Sequence, residues 1–263
     1  MPVPRKIIID TDPGQDDAAA IMLAFGSPEE IDLLGITTVA GNVPLALTAR
    51  NARILCELCD RPKVRVFSGA DKPIARPLVT AEHVHGKTGL DGPTLDEPKM
   101  KLEEQHAVDF IVETLRNEAE GTVTLCTLGP LTNIALALQK APEIAPRVKE
   151  LVMMGGGFFE GGNITPAAEF NIYVDPEAAE TGVVCQFLPR QWIVVVSDAE
   201  KATEAEDGVG DSPAALLQDQ PFDFADMGFV SAIDVRPNDH VAGNKIVGFL
   251  QIGILHHHVV APF

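Results

Sequence analysis

The sequence predicts an α/β fold: an open, mainly parallel sheet with helices on both faces. Two observations carry this. Short β-branched runs alternate with helical patterns through the first two-thirds of the chain, and polar or glycine-containing turns follow nearly every predicted strand. Strand–helix–strand alternation implies parallel pairing through right-handed crossovers. Ligands in such sheets sit beyond the carboxyl ends of the strands, so those ends are where chemistry is expected.

The elements follow in order. Residues 6–10 form a β-branched run ended by a polar turn, and the Ala-rich stretch 16–25 reads as a helix. A strand over 31–39 leads to a helix over 44–58, then to a short strand over 64–67. Residues 68–100 are rich in Pro, Gly, His and Asp without periodicity; a connection that long is expected to be functional. Helices over 106–119 and 131–139 flank a strand over 123–127, and a strand over 151–154 runs into Gly155-Gly156-Gly157. Beyond residue 186 the pattern changes. A strand over 192–196 is legible, 197–211 is polar and acidic, and no clear strand–helix unit follows. With no repeat and no strong linker, a single domain over 1–263 is expected, with a well-patterned core to 186 and a divergent tail over 187–263.

Composition bounds the partners. Among 263 residues, 38 Asp and Glu outweigh 20 Lys and Arg, a net charge of −18 that would repel a phosphate backbone, so no nucleic-acid partner is expected. Apolar residues make up 46% and charged residues 22%, an ordinary globular balance able to bury about 70–75% of the unfolded surface. No stretch reaches the ~20 apolar residues of a membrane helix, and the first apolar run is too short and too soon acidic for a signal peptide. No membrane partner is expected, and the expected location is cytoplasmic. Cys56 and Cys59 form a C-x-x-C, but near the C-terminal end of a helix, where the dipole does not activate a thiol.

The strand ends carry the unusual residues. Asp10-Thr11-Asp12-Pro13-Gly14-Gln15-Asp16-Asp17 places four carboxylates within eight residues at a strand-to-helix turn. Helix capping accounts for Asp16 and Asp17. It leaves Asp10 and Asp12, whose mutual repulsion calls for a cation, and an all-oxygen set suits Ca²⁺ or Mg²⁺. Asn42 lies just past the second strand, where a plain turn residue is the alternative. The fourth strand ends in Thr127-Leu128-Gly129-Pro130, whose carbonyls could face the same cleft, and the glycines at 155–157 would admit a ligand close to the backbone. Asn163 follows. Glu169 and Asn171, two apart on an expected extended segment, would point to one side and line a site for a polyhydroxylated ligand.

These residues together resemble the inosine–uridine-preferring nucleoside hydrolases. The likeness runs from Asp10-Thr11-Asp12-Pro13-Gly14-Gln15-Asp16-Asp17-Ala18 through Ile36-Thr37-Thr38-Val39-Ala40-Gly41-Asn42 and His83-Val84-His85-Gly86. It continues through Leu128-Gly129-Pro130-Leu131-Thr132-Asn133, Met154-Gly155-Gly156-Gly157 and the stretch from Glu169-Phe170-Asn171 to Ala179. The resemblance implies a Rossmann-like fold and a calcium-dependent N-ribohydrolase that splits a ribonucleoside, a small-molecule partner, into ribose and free base in nucleoside salvage. It implies calcium ligation by Asp12, Asp17 and the Leu128 carbonyl, with Asp12 also the general base. Asp16, Asn42, Asn163, Glu169 and Asn171 would hold the ribose hydroxyls, and His85 would lie near the nucleobase, a plain surface histidine being the alternative. A homodimer or homotetramer is implied as well.

The likeness stops near residue 186. The His-Asp-Pro segment that supplies a further calcium ligand in the family has no counterpart; Asn238-Asp239-His240 has the residue types in another order. Asp198, Asp223, Asp226 and Asp239 are candidate replacements, an altered C-terminus is a second explanation, and lost turnover a third. The last makes a non-catalytic nucleoside- or ribose-binding protein the alternative function. His256-His257-His258 are consecutive and point apart, so they are not expected to form a metal site. A haloacid-dehalogenase-type phosphatase also begins with strand and D-x-D, but Gly14 stands where it needs Thr or Val.

Overall fold

The computed structural model describes residues 3–92, 94–156 and 162–180, and the strands Trp192–Asp198, Val230–Val235 and Gly248–Ile252. β1 (Arg5–Thr11), β2 (Ile31–Thr38), β3 (Val66–Ser68), β4 (Val123–Thr127), β5 (Val148–Met154), β6 (Trp192–Asp198), β7 (Val230–Val235) and β8 (Gly248–Ile252) form one sheet in the order β3-β2-β1-β4-β5-β6-β7-β8. Pairing is parallel from β3 to β6, and antiparallel for β6–β7 and β7–β8. The chain thus builds outward from β1 in one direction, returns at β4, and builds outward in the other. Between β1 and β4 lies the topological switch, the crevice where open α/β sheets bind ligands.

β1 shows why the sheet is covered on both faces. Ile7, Ile8 and Ile9 are all buried, as expected of a central parallel strand. Side chains alternate across the sheet, so Ile8 joins one apolar cluster while Ile7 and Ile9 join another. The first cluster contains Phe110, Ile111 and Leu115 of α4 (Ala107–Asn117) and Ile134 and Leu138 of α5 (Thr132–Lys140). The second contains Ile21 and Phe25 of α1 (Gln15–Gly26) and Ala52, Leu55 and Cys56 of α2 (Leu45–Leu58). Each buried Ile or Leu contributes about 1.5–3 kcal/mol. Phe67 and Phe110 stack with centroids 3.8 Å apart, and the Arg65 guanidinium lies over the Phe67 ring at 4.7 Å.

Several boundaries differ from expectation. β5 begins at Val148 rather than 151, because buried Val148 pairs with Val123 before the polar Lys149 and Glu150 pass the edge of the core. α4 starts one residue later than expected, with His106 as its cap accepting from the Val108 N–H at 3.2 Å. Residues 68–100 contain one short helix, α3 (Glu82–His85). The segment after Glu169, expected to be extended, is instead the helix α6 (Phe170–Val174), followed by α7 (Pro176–Ala178).

Cys56, Cys59 and Cys126 are free, and burial pushes the Cys56 and Cys126 thiols up to about 12, so they stay protonated at neutral pH. Among the described residues no helix is long and apolar enough to cross a membrane.

Candidate active site at the strand ends

β1 delivers its carboxylates into the switch crevice. Asp12 is fully buried; its Oδ2 accepts from the Asn42 N–H at 2.7 Å, and its Oδ1 has no partner among the described residues. The carboxylate lies between Gly41, after β2, and Gly129, after β4: a Cβ at either position would collide with it. Those two glycines therefore admit the acid to the crevice. Asn42 also donates through Nδ2 to the Asp12 carbonyl at 3.1 Å and to Asp17 Oδ2 at 3.5 Å.

Asp17 caps its own helix and faces the site at once. Its Oδ2 accepts from the Gly14 N–H at 3.1 Å, and its Oδ1 from the Thr11 hydroxyl at 2.5 Å. Capping and a ligand role are therefore compatible. Burial, reinforced by the Asp17 charge, holds the Asp12 carboxyl well above its ordinary range; burial, with the Asp16 charge behind it, pushes Asp17 up to about 8. Asp16 itself is exposed at the mouth, its side chain 62% accessible.

The opposite wall comes from β4, β5 and α6. The Leu128 carbonyl accepts from Asn171 Nδ2 at 2.8 Å, and the same amide reaches the Met154 carbonyl at 3.2 Å. Glu169 caps α6: Oε1 accepts from the Asn171 N–H at 3.0 Å, and Oε2 from Ile172 at 3.2 Å and Gly156 at 3.3 Å. Glu169 and Asn171 thus come together by helix capping rather than by the alternation of an extended chain, which corrects the expected geometry. Asn163 Oδ1 accepts from the Phe170 N–H at 2.8 Å, tying the preceding loop to the same helix start.

His85 ends α3 and packs its ring on Gly14, where an added Cβ would lie 2.6 Å from Nδ1. Its side chain is 15% exposed, with Nδ1 4.0 Å from Asp16 Oδ1. Asp12, Asp16, Asp17, Asn42 and Leu128 follow β1, β2 and β4, whereas His85 ends α3 and Asn163, Glu169 and Asn171 lie before or in the first turn of α6. Asp12, Asp17 and Asn42 bond directly, while Leu128, Asn171, Glu169 and Asn163 form a second bonded group that approaches the first at Gly129. The side chain of Asp198, and Asp223, Asp226, Asp239 and the histidines at 240 and 256–258, lie outside the described residues.

Sequence reading gave no role to two buried polar residues, Asn133 and Asp175, and grouped a third, Asp10, with Asp12 around a cation. Asn133, at the start of α5, donates from Nδ2 to Asp10 Oδ1 at 2.8 Å and to the Thr38 carbonyl at 3.1 Å, and accepts from the Ala70 N–H at 2.9 Å. It joins β1, β2 and the loop after β3. Asp10 also accepts from Thr37 at 2.5 Å, and burial pushes it up to about 7. Asp175 accepts from Ile74, Thr132 and Ala178. Its signal was present: Asp before Pro-Glu-Ala is a helix start.

The residues fit a hard cation on one observation above others: a buried, unpartnered carboxylate oxygen on Asp12, beside a second buried carboxylate. Among the described residues no three His, Cys, Asp or Glu side chains group to hold a metal ion.

Comparison with known proteins agrees with this architecture. The family model for inosine-uridine preferring nucleoside hydrolase matches residues 7–216. An uncharacterized protein of Schizosaccharomyces pombe is 62% identical over 175 residues, which is 66% of this chain and 56% of that protein. The inosine-uridine preferring nucleoside hydrolase of Crithidia fasciculata is 49% identical over 180 residues, 67% of this chain and 56% of that one. The solved plant nucleoside hydrolase PpNRh1 superposes with a TM-score of 0.67 at 39% identity, covering 74% of this chain and 60% of that one. The chain spans about half the length of the curated relatives it matches. With the sheet order, the strand-end carboxylates and these matches in agreement, the chain belongs to the inosine-uridine preferring nucleoside hydrolase family.

Proposed function

We propose that this protein hydrolyses the N-glycosidic bond of ribonucleosides, with Ca²⁺ bound at the end of β1. The observation that carries the reading is Asp12: a fully buried carboxylate with one unpartnered oxygen, held between two glycines at the switch point. Asp12, Asp17 and the Leu128 carbonyl would hold the cation. When bound, Ca²⁺ supplies Lewis acidity that makes the attacking water a stronger acid.

The remaining chemistry falls to the chain's own residues. Asp12 takes the proton of the attacking water, whose oxygen bonds to the anomeric carbon as the bond to the nucleobase nitrogen breaks. The electron pair leaves with the base, and His85 supplies the proton that neutralises it. Asp16, Asn42, Asn163, Glu169 and Asn171 hold the ribose hydroxyls, and the surrounding acids favour the positive charge that grows on the sugar. The products are ribose and free base. We place this activity in cytoplasmic nucleoside salvage by a homo-oligomer; the unpaired thiols of Cys56, Cys59 and Cys126 support a reducing compartment.

Purified full chain with saturating calcium should release ribose from inosine or uridine. Absence of ribose across the common nucleosides overturns the reading. One observation favours non-catalytic nucleoside binding instead: among the described residues no three His, Cys, Asp or Glu side chains group to hold a metal ion. Calorimetry that finds nucleoside binding without turnover would establish that alternative.

A further inference from the structure

Gln15, inside the acidic turn, closes on His85 at two points. Its Oε1 lies 2.6 Å from His85 Nδ1, and its Nε2 lies 3.5 Å from the His85 carbonyl oxygen. A carbonyl oxygen only accepts, so the amide nitrogen must face it, and the amide oxygen must face the ring. An acceptor at Nδ1 requires the hydrogen there. Asp16 Oδ1 lies 4.0 Å from the same nitrogen, within ion-pair distance of a protonated ring but beyond hydrogen-bond reach. Gly14 completes the seat, since its bare Cα lets the ring rest on the turn. Asp91 steadies the same main chain, its N–H reaching the His85 carbonyl at 3.5 Å.

We propose that Gln15 is a positioning residue that fixes neutral His85 as the Nδ1–H tautomer, making Nε2 the atom that takes up and delivers a proton. The tautomer follows from the geometry alone; its value to catalysis rests on the proposed role of His85 at the leaving base. Gln15 touches neither sugar nor base in this scheme and acts only through His85.

The test uses the full chain labelled with ¹⁵N-histidine, at about pH 8.5, where an ordinary imidazole is neutral. The His85 signals are assigned by their loss in His85→Gln. Wild type should show His85 mainly as Nδ1–H. Gln15→Leu should raise the Nε2–H share about fivefold, the worth of one net hydrogen bond, and Gln15→Glu, which keeps an acceptor, should restore Nδ1–H. A wild-type His85 that is mainly Nε2–H, or a tautomer indifferent to Gln15→Leu in a variant whose circular dichroism is native, overturns the proposal. In parallel, Gln15→Leu should lower kcat for ribose release about fivefold with little change in KM. Wild type that releases no ribose while its tautomer follows Gln15 would sink the hydrolase reading and leave this coupling standing.

Discussion

Two fully buried aspartates, Asp12 and Asp175, have opposite surroundings. Asp175 sits between α6 and α7 with both oxygens engaged: Ile74 N–H at 2.9 Å, the Thr132 hydroxyl at 2.6 Å and the Ala178 N–H at 3.0 Å. Its donors are all neutral, and they come from three separate segments. Asp12 accepts from the Asn42 N–H on one oxygen, its other oxygen has no partner among the described residues, and its neighbours include Asp17 and Asp16. Burial of a charge without compensation is costly. Asp175 therefore works as a staple of the fold, whereas Asp12, like Asp10, keeps one buried oxygen without a partner among the described residues.

This contrast can be broken at either end. The largest effect is expected at Asp12: Asp12→Asn should lower ribose release about 10³-fold, by loss of the base. Next comes Asp175→Ala, which strands three donors. It should cost about 3 kcal/mol in urea unfolding, while the folded fraction keeps its ribose-releasing activity. Wild-type stability in that variant would remove the structural half of the contrast. The smallest effect concerns Asp12 again. In a chelator, Asp12→Asn should be more stable than wild type by about 1 kcal/mol, because it removes one of two facing buried carboxylates. A clear loss of stability there would mean that Asp12 also serves the fold.

Much of this contrast was legible in the sequence, and the reasons are local. The β1 run Ile7-Ile8-Ile9 and the Ala-rich α1 announce themselves by periodicity, and the parallel sheet follows from alternation. The Asp12 cluster was legible because four acids in eight residues repel unless something offsets them. What sequence reading missed depends on contacts between distant segments. Asn133 bonds to Asp10, 123 residues away, and Asp175 to Ile74, 101 residues away; no local spacing encodes either. Glu169 and Asn171 were expected together on an extended chain and come together on a helix start instead, because alternation and capping both bring Glu169 close to Asn171. Two backbone N–H groups in the first turn of α6, those of Asn171 and Ile172, decide in favour of capping. Gln15 had no chemistry of its own to announce it, and its partner lies 70 residues on.

The most direct test of the strand-end site is calcium titration by calorimetry on the full chain in parallel with Asp12→Asn. The account predicts one calcium bound per wild-type chain and that binding abolished in the variant. No binding to wild type, or equal binding to both, would contradict it.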